Sequence, residues 1–333
     1  MQASGQYHGI INVYKEQGFT SFDAVAALRG ILHQKKIGHT GTLDPMATGV
    51  LPVCLGKGTG VVELLTDWDK EYVGELLPGL TTDTLDVTGE RTGGDPGMAS
   101  SLPPERIREA VLSFLGGYDQ IPPMYSALKV DGQRLYDLAR KGQEVERKPR
   151  KVVIRELEIL SEGTEVLPGD GGESFTVPTL RFRVLCSKGT YIRSLCDDIG
   201  KKLGCGGCMK SLERTAVGPF TLENAKRLKE IEALRDAALA RGEIRHRDNR
   251  GNDCPPGEAL GILPIDLLFR DLPEAKALPA GEKLLQNGNV VKASLLRDCP
   301  KEERLRIYLE DDTFVGIFRR SGELYKPEKI FLI

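Results

Sequence analysis

Residues 37–52 read IGHTGTLDPMATGVLP and are unusually rich in residues that constrain the backbone. Gly38, Gly41 and Gly49 allow backbone angles or close approaches that a β-carbon forbids. Pro45 restricts Asp44 to extended geometry and fixes the turn that follows. Composition alone favours a tight surface turn with Asp44 as its turn-former, and the alternative is a carboxylate held in place for chemistry.

Two parts of this stretch, residues 38–45 (GHTGTLDP) and residues 47–52 (ATGVLP), resemble the signature of the TruB-type tRNA pseudouridine synthases. A run of this length rarely recurs by accident. The resemblance implies that Asp44 is the catalytic nucleophile and that His39 contacts the substrate. Four further segments resemble the same family in the same order, so the similarity extends over nearly the whole chain.

The composition predicts a folded protein with one large and one small domain, because 333 residues with 40% hydrophobic side chains can build a sizeable core. A formal charge of −2 argues against a protein that coats nucleic acid indiscriminately, although it allows a local basic groove. The sequence shows neither an apolar run of about 18 residues nor a charged-then-apolar leader. We therefore expect no membrane span, no secretory signal and a cytoplasmic location.

The seven cysteines are scattered without the spacing of a disulfide framework, which favours reduced thiols. Cys205 and Cys208 form a CxxC pair, but a zinc site there would lack further ligands. The pair is therefore expected to be structural or incidental. We expect neither a metal nor a cofactor.

Residues 15–21 (KEQGFTS) resemble the family motif Lys-Pro-x-Gly-x-Thr-Ser, except that Glu16 stands where proline is usual. Because a proline ring fixes its own φ angle, its loss is expected to loosen the turn and to leave Lys15 available to the substrate. The residues alone are equally consistent with an ordinary exposed lysine.

Thr20 and Ser21 predict the start of a helix. Phe22, Val25, Leu28 and Leu32 follow at helical spacing, which predicts one buried face.

The next segment of the resemblance lies on a predicted strand that begins at Lys70, with Tyr72, Gly74 and Leu76 on one face. An aromatic residue on a strand more often belongs to a core than to a catalytic centre. The surrounding family pattern, Lys-x-Tyr and a later Thr-Asp-Thr-x-Asp, implies instead that Tyr72 is the active-site tyrosine.

Residues 120–151 concentrate cations in a chain that is nearly neutral overall. The segment opens with QIPPMYSALK, which resembles the start of the family's RNA-gripping insertion, and the resemblance implies that Lys129 and Arg134 contact the substrate. A phosphate-tracking arm accounts for the interleaved tyrosines and cations. The alternative is a solvated helix face.

Two apolar patterns flank the next motif. A strand is predicted at 179–186, with one face formed by Leu180, Phe182, Val184 and Cys186. A helix closed by Gly204 is predicted after it, with an apolar stripe formed by Ile192, Leu195, Ile199 and Leu203.

Residues 187–195 (SKGTYIRSL), where the strand passes into the helix, resemble the family's next motif. The resemblance implies that Lys188 and Tyr191 contact the substrate and that Arg193 pairs with the catalytic aspartate. A nearby cation would keep Asp44 ionised, as a nucleophile must be. The alternative is a surface pair between Arg193 and Asp197, which lies one helical turn later.

Leu212 matches a family leucine that touches the target base. Glu213 stands where the family often has an arginine, which leaves Arg214 as the single arginine at this point of the chain. We therefore expect weaker RNA contact here.

The chain changes character after a polar loop near residue 251. Short apolar segments at 306–309, 314–318 and 330–333 alternate with turns, which predicts a small β-barrel. Its position resembles the family's PUA-like RNA-binding module, and a purely structural barrel is the alternative. Residues 89–101 are interpreted as a loop, and residues 162–174 as an acidic, glycine-rich turn of no evident function.

The resemblance implies an α+β pseudouridine synthase fold, with a mixed, largely antiparallel sheet flanked by helices and an appended PUA-like barrel. We expect a catalytic domain at 1–250, with the insertion at about 120–151, and the barrel at 260–333. The expected activity is cofactor-free isomerisation of the T-loop uridine (position 55) of tRNA, bound through its T-arm, with no protein partner implied. Alternatives are a non-catalytic tRNA-binding or tRNA-folding protein on the same scaffold and an aspartate-nucleophile hydrolase for a small molecule.

Overall fold

A computed structural model of the chain describes residues 7–130, 132–169, 171–248 and 251–332. Its α-helices are α1 (Ser21–Leu32), α2 (Val62–Thr66), α3 (Pro96–Ser100), α4 (Pro104–Leu112), α5 (Leu135–Ala139), α6 (Ile192–Leu203), α7 (Leu228–Ala240) and α8 (Pro279–Gln286). Short 3-10 helices occur at Gly56–Val61, Leu222–Asn224, Gly257–Leu260, Ile265–Phe269 and Ala293–Leu295.

The strands of the first three-quarters of the chain are β1 (Gly9–Lys15), β2 (Ile37–His39), β3 (Thr48–Leu55), β4 (Lys70–Pro78), β5 (Thr81–Thr82), β6 (Arg91–Gly93), β7 (Gly116–Gln120), β8 (Lys129–Val130), β9 (Gln133–Arg134), β10 (Arg150–Pro168), β11 (Ser174–Cys186), β12 (Gly207–Val217), β13 (Phe220–Thr221), β14 (His246–Arg247) and β15 (Asp253–Cys254). The remaining strands are β16 (Glu274–Ala277), β17 (Val291–Lys292), β18 (Leu296–Arg297), β19 (Arg304–Tyr308), β20 (Phe314–Ser321) and β21 (Leu324–Ile330).

The main sheet, nine-stranded over the described residues, runs in the order β1-β3-β12-β4-β11-β10-β7, with β2 paired to β3 and β13 to β12. Its pairings are antiparallel except for β12 with β3, where Glu213 lies opposite Thr48 and Arg214 opposite Gly49. A strand from late in the sequence therefore joins two strands from its start. The expected mixed, largely antiparallel α+β architecture is confirmed.

Helix α1 begins where the sequence predicts, because Thr20 and Asp23 form a reciprocal capping box. Its buried face includes Val25, Leu28 and Leu32, as expected. The inclusion of Phe22 was wrong: its side chain is 66% exposed, and the Arg29 guanidinium lies 5.8 Å from the centre of its ring.

Helix α6 follows its predicted apolar stripe, with Ile192, Leu195, Ile199 and Leu203 all buried. Gly204 ends it with a φ of 86°, the left-handed conformation that glycine adopts without strain. The helix packs closely on β12, since a β-carbon at Gly200 would lie 2.1 Å from the backbone nitrogen of Gly207.

Two segments interpreted as loops contain regular structure. Residues 89–101 include β6 and α3, whose first turn is capped by the Asp95 carboxylate. In the predicted acidic turn at 162–174, β10 continues to Pro168 and pairs with β11 up to Ser174. Cross-strand pairing within this long hairpin supplies the order that the glycine-rich, acidic sequence does not suggest.

The C-terminal part forms a six-stranded sheet over the described residues, in the order β17-β21-β20-β19-β16-β18. The edge strands β17 and β18 are joined by the short helix Ala293–Leu295, so the sheet is nearly closed into the expected barrel. The predicted strands at 306–309 and 314–318 correspond to β19 and β20, whereas the last strand lies at Leu324–Ile330 rather than at 330–333.

A shared apolar core joins the barrel to the main sheet. Phe331 and Ile317 from the barrel pack in one cluster with Ile10, Val50 and Val61 from the first part of the chain. Within the described residues, the helices are too short or too polar to cross a bilayer. The cysteines of the described structure are free thiols.

Candidate active site

A cleft of about 630 Å³ opens beside the main sheet. Its walls are formed by the loop after β2, the start of β4, the segment leading into α6, and β12; its lining includes Asp44, Lys70, Tyr72, Lys188, Tyr191, Arg193, Leu212 and Arg214. The three family-like motifs around Asp44, Tyr72 and Arg193 therefore meet in one cavity although they lie far apart in sequence.

Asp44 and Arg193 form an ion pair in this cleft. The guanidinium Nε lies 2.8 Å from Oδ2 of the carboxylate, and Nη2 donates a hydrogen bond to Oδ1 at 3.0 Å. Arg193 is buried and also donates to the carbonyl oxygens of Thr84 (2.9 Å) and Tyr125 (2.8 Å). The alternative partner Asp197 pairs instead with Lys201 at 2.6 Å.

A second carboxylate, Asp86, lies behind the same arginine, with its Oδ2 atom 3.9 Å from the Nε of Arg193. Asp86 is buried, and its Oδ1 accepts hydrogen bonds from the Thr88 amide and the Thr84 hydroxyl, both at 2.9 Å. Asp86 is the last residue of the Thr-Asp-Thr-x-Asp motif, and the sequence alone indicated no role for it. Its signal was the pair of flanking threonines, which can satisfy a buried carboxylate.

The Asp44 side chain keeps a third of its surface exposed (33%), so a ligand in the cleft can reach it. Burial of the remainder raises the pKa of Asp44 above its ordinary value, and the charge of Asp86 adds to this rise. Arg193 acts in the opposite direction and holds the pKa down.

The Tyr72 side chain is buried on β4, and burial raises the pKa of its phenol, whereas the nearby Arg214 guanidinium lowers it. Arg214 is itself only 1% exposed and donates to the carbonyl oxygens of Val50 (2.7 Å) and Gly41 (3.3 Å). Arg214 is thus held by backbone carbonyl groups in the lining of the cleft, and the weaker RNA contact expected at this point stays a prediction. The backbone of Arg214 also needs a glycine beside it, since a β-carbon at Gly49 would lie 2.2 Å from the Arg214 carbonyl oxygen.

The chain is similar to known proteins over nearly its whole length. Residues 29–192 match the model of the TruB family pseudouridylate synthase N-terminal domain, and residues 193–247 match the tRNA pseudouridylate synthase B C-terminal domain. The tRNA pseudouridine synthase B of Lachnoclostridium phytofermentans is 47% identical over 98% of this chain and all of its own length. That of Alkaliphilus oremlandii is 42% identical over 97% of both chains.

The chain belongs to the TruB family of pseudouridylate synthases. It is therefore an isomerase that converts uridine in RNA to pseudouridine. A solved structure described as a Cbf5-Nop10-Gar1 complex is similar to this TruB-family chain with a TM-score of 0.64 and 26% identity, over 98% of this chain and 85% of the other. The pseudouridine synthase fold is thus confirmed.

Lys15 of this TruB-family chain is not available at the surface, contrary to expectation. Its side chain is 1% exposed, and the ammonium donates to the carbonyl oxygens of Phe19 (2.6 Å), Glu16 (3.1 Å) and Pro45 (3.4 Å). It is absent from the lining of the cleft. The turn closes over the lysine because its carbonyl groups replace water around the ammonium, and burial lowers the pKa of Lys15 to about 8.

Lys70 is a buried lysine in the lining of the cleft, and the sequence analysis assigned it no role. Its ammonium donates to the carbonyl oxygens of Thr66 and Trp68, both at 2.6 Å, and burial lowers its pKa to about 8. The neighbouring Lys188 is exposed at the rim, 2.7 Å from Asp67.

Of the other residues predicted to contact the substrate, some line the cleft and others lie outside it. The backbone amide of Tyr191 donates to the Gln120 side chain at 2.8 Å, and Leu212 lies on β12 facing the cleft. His39 ends β2, outside the set of lining residues, and its Nδ1 accepts the Gly41 amide at 3.3 Å. Lys129 lies further away in the insertion.

The TruB-family insertion contains the β8–β9 hairpin and α5 rather than one long helix, which argues against a solvated helix face. The rings of Tyr125 and Tyr136 lie 6.1 Å apart, and the Arg140 guanidinium lies 5.6 Å from the centre of the Tyr136 ring. Lys129, Arg140 and Lys141 surround a shallow depression on this arm. The side chain of Arg134 lies outside the described part of the structure.

Proposed function

We propose that this chain isomerises the T-loop uridine at position 55 of tRNA to pseudouridine, with Asp44 as the nucleophile. The observation that carries the proposal is the partly exposed Asp44 carboxylate paired with Arg193 in a cleft shared with Tyr72 and Leu212. Relatives at 47% and 42% identity that carry the name tRNA pseudouridine synthase B support tRNA as the substrate.

The reaction needs no external atoms or electrons. The bond between N1 of uracil and C1′ of ribose breaks, the base turns, and a bond forms between C5 and C1′ while C5 loses a proton and N1 gains one. The Asp44 carboxylate can attack C1′ or C6, and in either case its bond to the nucleoside breaks again before release. The uridine must leave its stack to reach a carboxylate inside the cleft.

The remaining lining residues are assigned to binding. Because burial keeps the Tyr72 phenol protonated, we assign it to stacking on the extruded base rather than to removal of the C5 proton. Leu212 and Tyr191 cover the base, and Lys188 at the rim attracts RNA phosphates.

We extend the proposal to the domains and their contacts. Residues 1–250 form the catalytic domain, and the barrel at 260–333 is a PUA-like RNA-binding module. The insertion at about 120–151 follows the T-arm backbone with Lys129 and Arg134, and His39 contacts the RNA at the edge of the cleft.

The test is pseudouridine mapping on an unmodified tRNA transcript with purified protein. Asp44→Asn keeps the shape of the side chain but removes its nucleophilic charge, so we expect no product at position 55 and unchanged tRNA binding. Asp236→Asn, the same change at an exposed site on α7 outside the cleft, should leave the yield unchanged. Product formation by Asp44→Asn at the wild-type rate would refute the nucleophile.

The same variant separates the competing functions. If Asp44→Asn fully replaced the wild-type chain in a growth competition, the cellular role would be non-catalytic RNA binding or folding. Failure of the wild-type protein to bind tRNA at all would favour a small-molecule hydrolase instead.

A further inference from the structure

The loop that carries Asp44 is attached to the turn at residues 15–21. The Pro45 carbonyl accepts hydrogen bonds from the Gly18 amide at 2.8 Å and from the Lys15 ammonium at 3.4 Å. On the other side of Asp44, the Leu43 amide donates to the Ser21 hydroxyl at 2.8 Å. Both neighbours of the proposed nucleophile are therefore bonded to this one turn, so its shape determines where the carboxylate lies.

The same turn lacks the proline that the family motif would place at position 16. Glu16 cannot restrict its own φ angle, but its carboxylate accepts a hydrogen bond from Nη1 of Arg227 at 2.6 Å. The Arg227 guanidinium lies 4.6 Å from the centre of the Tyr14 ring, a cation–π distance. The Tyr14 hydroxyl in turn donates to Glu213 at 2.8 Å.

The two departures from the family pattern, Glu16 and Glu213, are thus the two ends of one chain of contacts. Glu213 lies on β12 between Leu212 and Arg214, which both line the cleft. The chain of contacts therefore connects the turn that holds the Asp44 loop with a strand that lines the cleft.

The backbone places Arg227 in advance of these contacts. The Lys226 amide donates to the Asn12 carbonyl and the Tyr14 amide donates to the Lys226 carbonyl, both at 2.9 Å, so the segment before α7 runs along the edge of β1. An exposed ion pair is ordinarily weak, partly because two long side chains must be ordered. Here the backbone bonds of Lys226 fix the position from which the Arg227 side chain extends, and the Tyr14 ring contacts its guanidinium.

We propose that Glu16, Arg227, Tyr14 and Glu213 form a positioning network that replaces the missing proline and fixes the Asp44 loop against β12. These residues act through the turn and do not contact the substrate. The proposal rests on the assignment of Asp44 as nucleophile.

The test is the single-turnover rate at saturating tRNA, measured together with the tRNA dissociation constant and the melting temperature. A small displacement of a catalytic group slows chemistry without weakening binding, so we expect Arg227→Gln to lower the rate by about fivefold with an unchanged dissociation constant. The matched control is Arg241→Gln, which removes an exposed arginine paired with Glu243 at the far end of α7 and should change neither quantity.

The decisive variant adds Glu16→Pro to Arg227→Gln. Lys15 ends a strand and has the extended conformation that a following proline requires, so the ring can restore the restraint covalently. We expect the double variant to recover the rate to within about twofold of wild type, since the restraint rather than the charge is what the turn needs. Tyr14→Phe, which removes only the bond to Glu213, should also slow the reaction without weakening binding.

Three results would overturn the network: an unchanged rate in Arg227→Gln, a loss of tRNA affinity with an unchanged rate at saturation, or a double variant that stays slow while Tyr14→Phe is fully active. The second result would make Arg227 an RNA contact. Asp44→Asn, assayed in parallel, tests the nucleophile itself, so the failure of that assignment is distinguishable from failure of the network.

Discussion

Buried cations around the cleft are satisfied mainly by backbone carbonyl groups. Lys15, Lys70 and Arg214 donate to carbonyl oxygens, and of the buried cations Arg193 is the one with carboxylate partners. This holds for the described residues. A chain with a formal charge of −2 thereby concentrates positive potential around the cleft.

The pKa of Asp44 provides a prediction at the scale of one residue. Since burial raises this pKa and Arg193 lowers it, Arg193→Gln should move the carboxyl titration to higher pH. The ionised fraction, and with it the reaction rate, is lost as the pH falls through that value. Carbon-13 NMR of labelled aspartate, assigned with Asp44→Asn, measures the titration directly.

Arg181→Gln is the control, because Arg181 is exposed on β11. An Asp44 titration that stays in place in Arg193→Gln would contradict the electrostatic coupling.

Lys15→Met is a second prediction at this scale. Methionine has a similar length but cannot donate hydrogen bonds, so the carbonyl groups that surround the ammonium lose their partner. We expect the free energy of unfolding to fall by about 2 kcal/mol. Lys36→Met, at an exposed site, should change it by less than about 0.5 kcal/mol in the same denaturant titration. Equal stability of the two variants would mean that the ammonium contributes nothing to the turn.

Sequence reasoning brought Asp44, Tyr72 and Arg193 together because the family-like motifs are long and local. It missed the burial of Lys15 and Arg214, because long cationic side chains are mostly exposed and nothing in their local sequence reveals distant carbonyl partners. The carbonyls that accept from Arg214 belong to Val50 and Gly41, more than 160 positions away.

At the scale of single elements, the predictions succeeded where burial imposes a period. In β11, Leu180, Phe182, Val184 and Cys186 alternate as expected, and α6 follows its apolar stripe. The outer half of the β10–β11 hairpin and the segment at 89–101 gave no such period, because much of their surface faces solvent. Their order comes from pairing with a partner strand or from caps.

Replacement by alanine should change the free energy of unfolding in opposite directions at two helical glycines, because only Gly200 lies at a close contact, that between α6 and β12. Gly200→Ala places a β-carbon 2.1 Å from the Gly207 nitrogen, so α6 must shift and take Arg193 with it. We expect a loss of about 3 kcal/mol in unfolding free energy together with reduced activity.

Gly30→Ala in α1 is the matched change, because a β-carbon there has open space within 4 Å. It should stabilise the protein by about 0.5–1 kcal/mol, since alanine favours helix. Both values follow from chemical denaturation, and destabilisation at both sites would refute the steric explanation.

At the scale of the whole molecule, Phe331 connects the barrel to the main sheet, because it packs in one buried cluster with Ile10 of β1 and Val50 of β3. Phe331 is buried, with its ring stacked on Phe314 at 5.7 Å and beside Phe269 at 6.0 Å. The joint contains residues from both ends of the chain, which local sequence patterns cannot reveal.

Phe331→Ala should cost about 3–5 kcal/mol and separate the unfolding of the barrel from that of the main sheet. Calorimetry would then show two transitions where the wild type shows one. Phe22→Ala makes the same truncation at an exposed ring and should leave the melting profile unchanged. A single transition at the wild-type temperature in Phe331→Ala would show that the packing around Phe331 does not couple unfolding of the barrel to that of the main sheet.

The position of β12 between β3 and β4 also has a consequence for biosynthesis. The Asp44 loop and the first strands emerge from the ribosome early, but the strand that bridges them is completed only at Val217. In a nascent chain shorter than this, β3 and β4 lack the strand that pairs with both of them. Chaperones recognise exposed strand edges of this kind. Catalytic competence should therefore arise abruptly, late in translation, rather than grow with chain length.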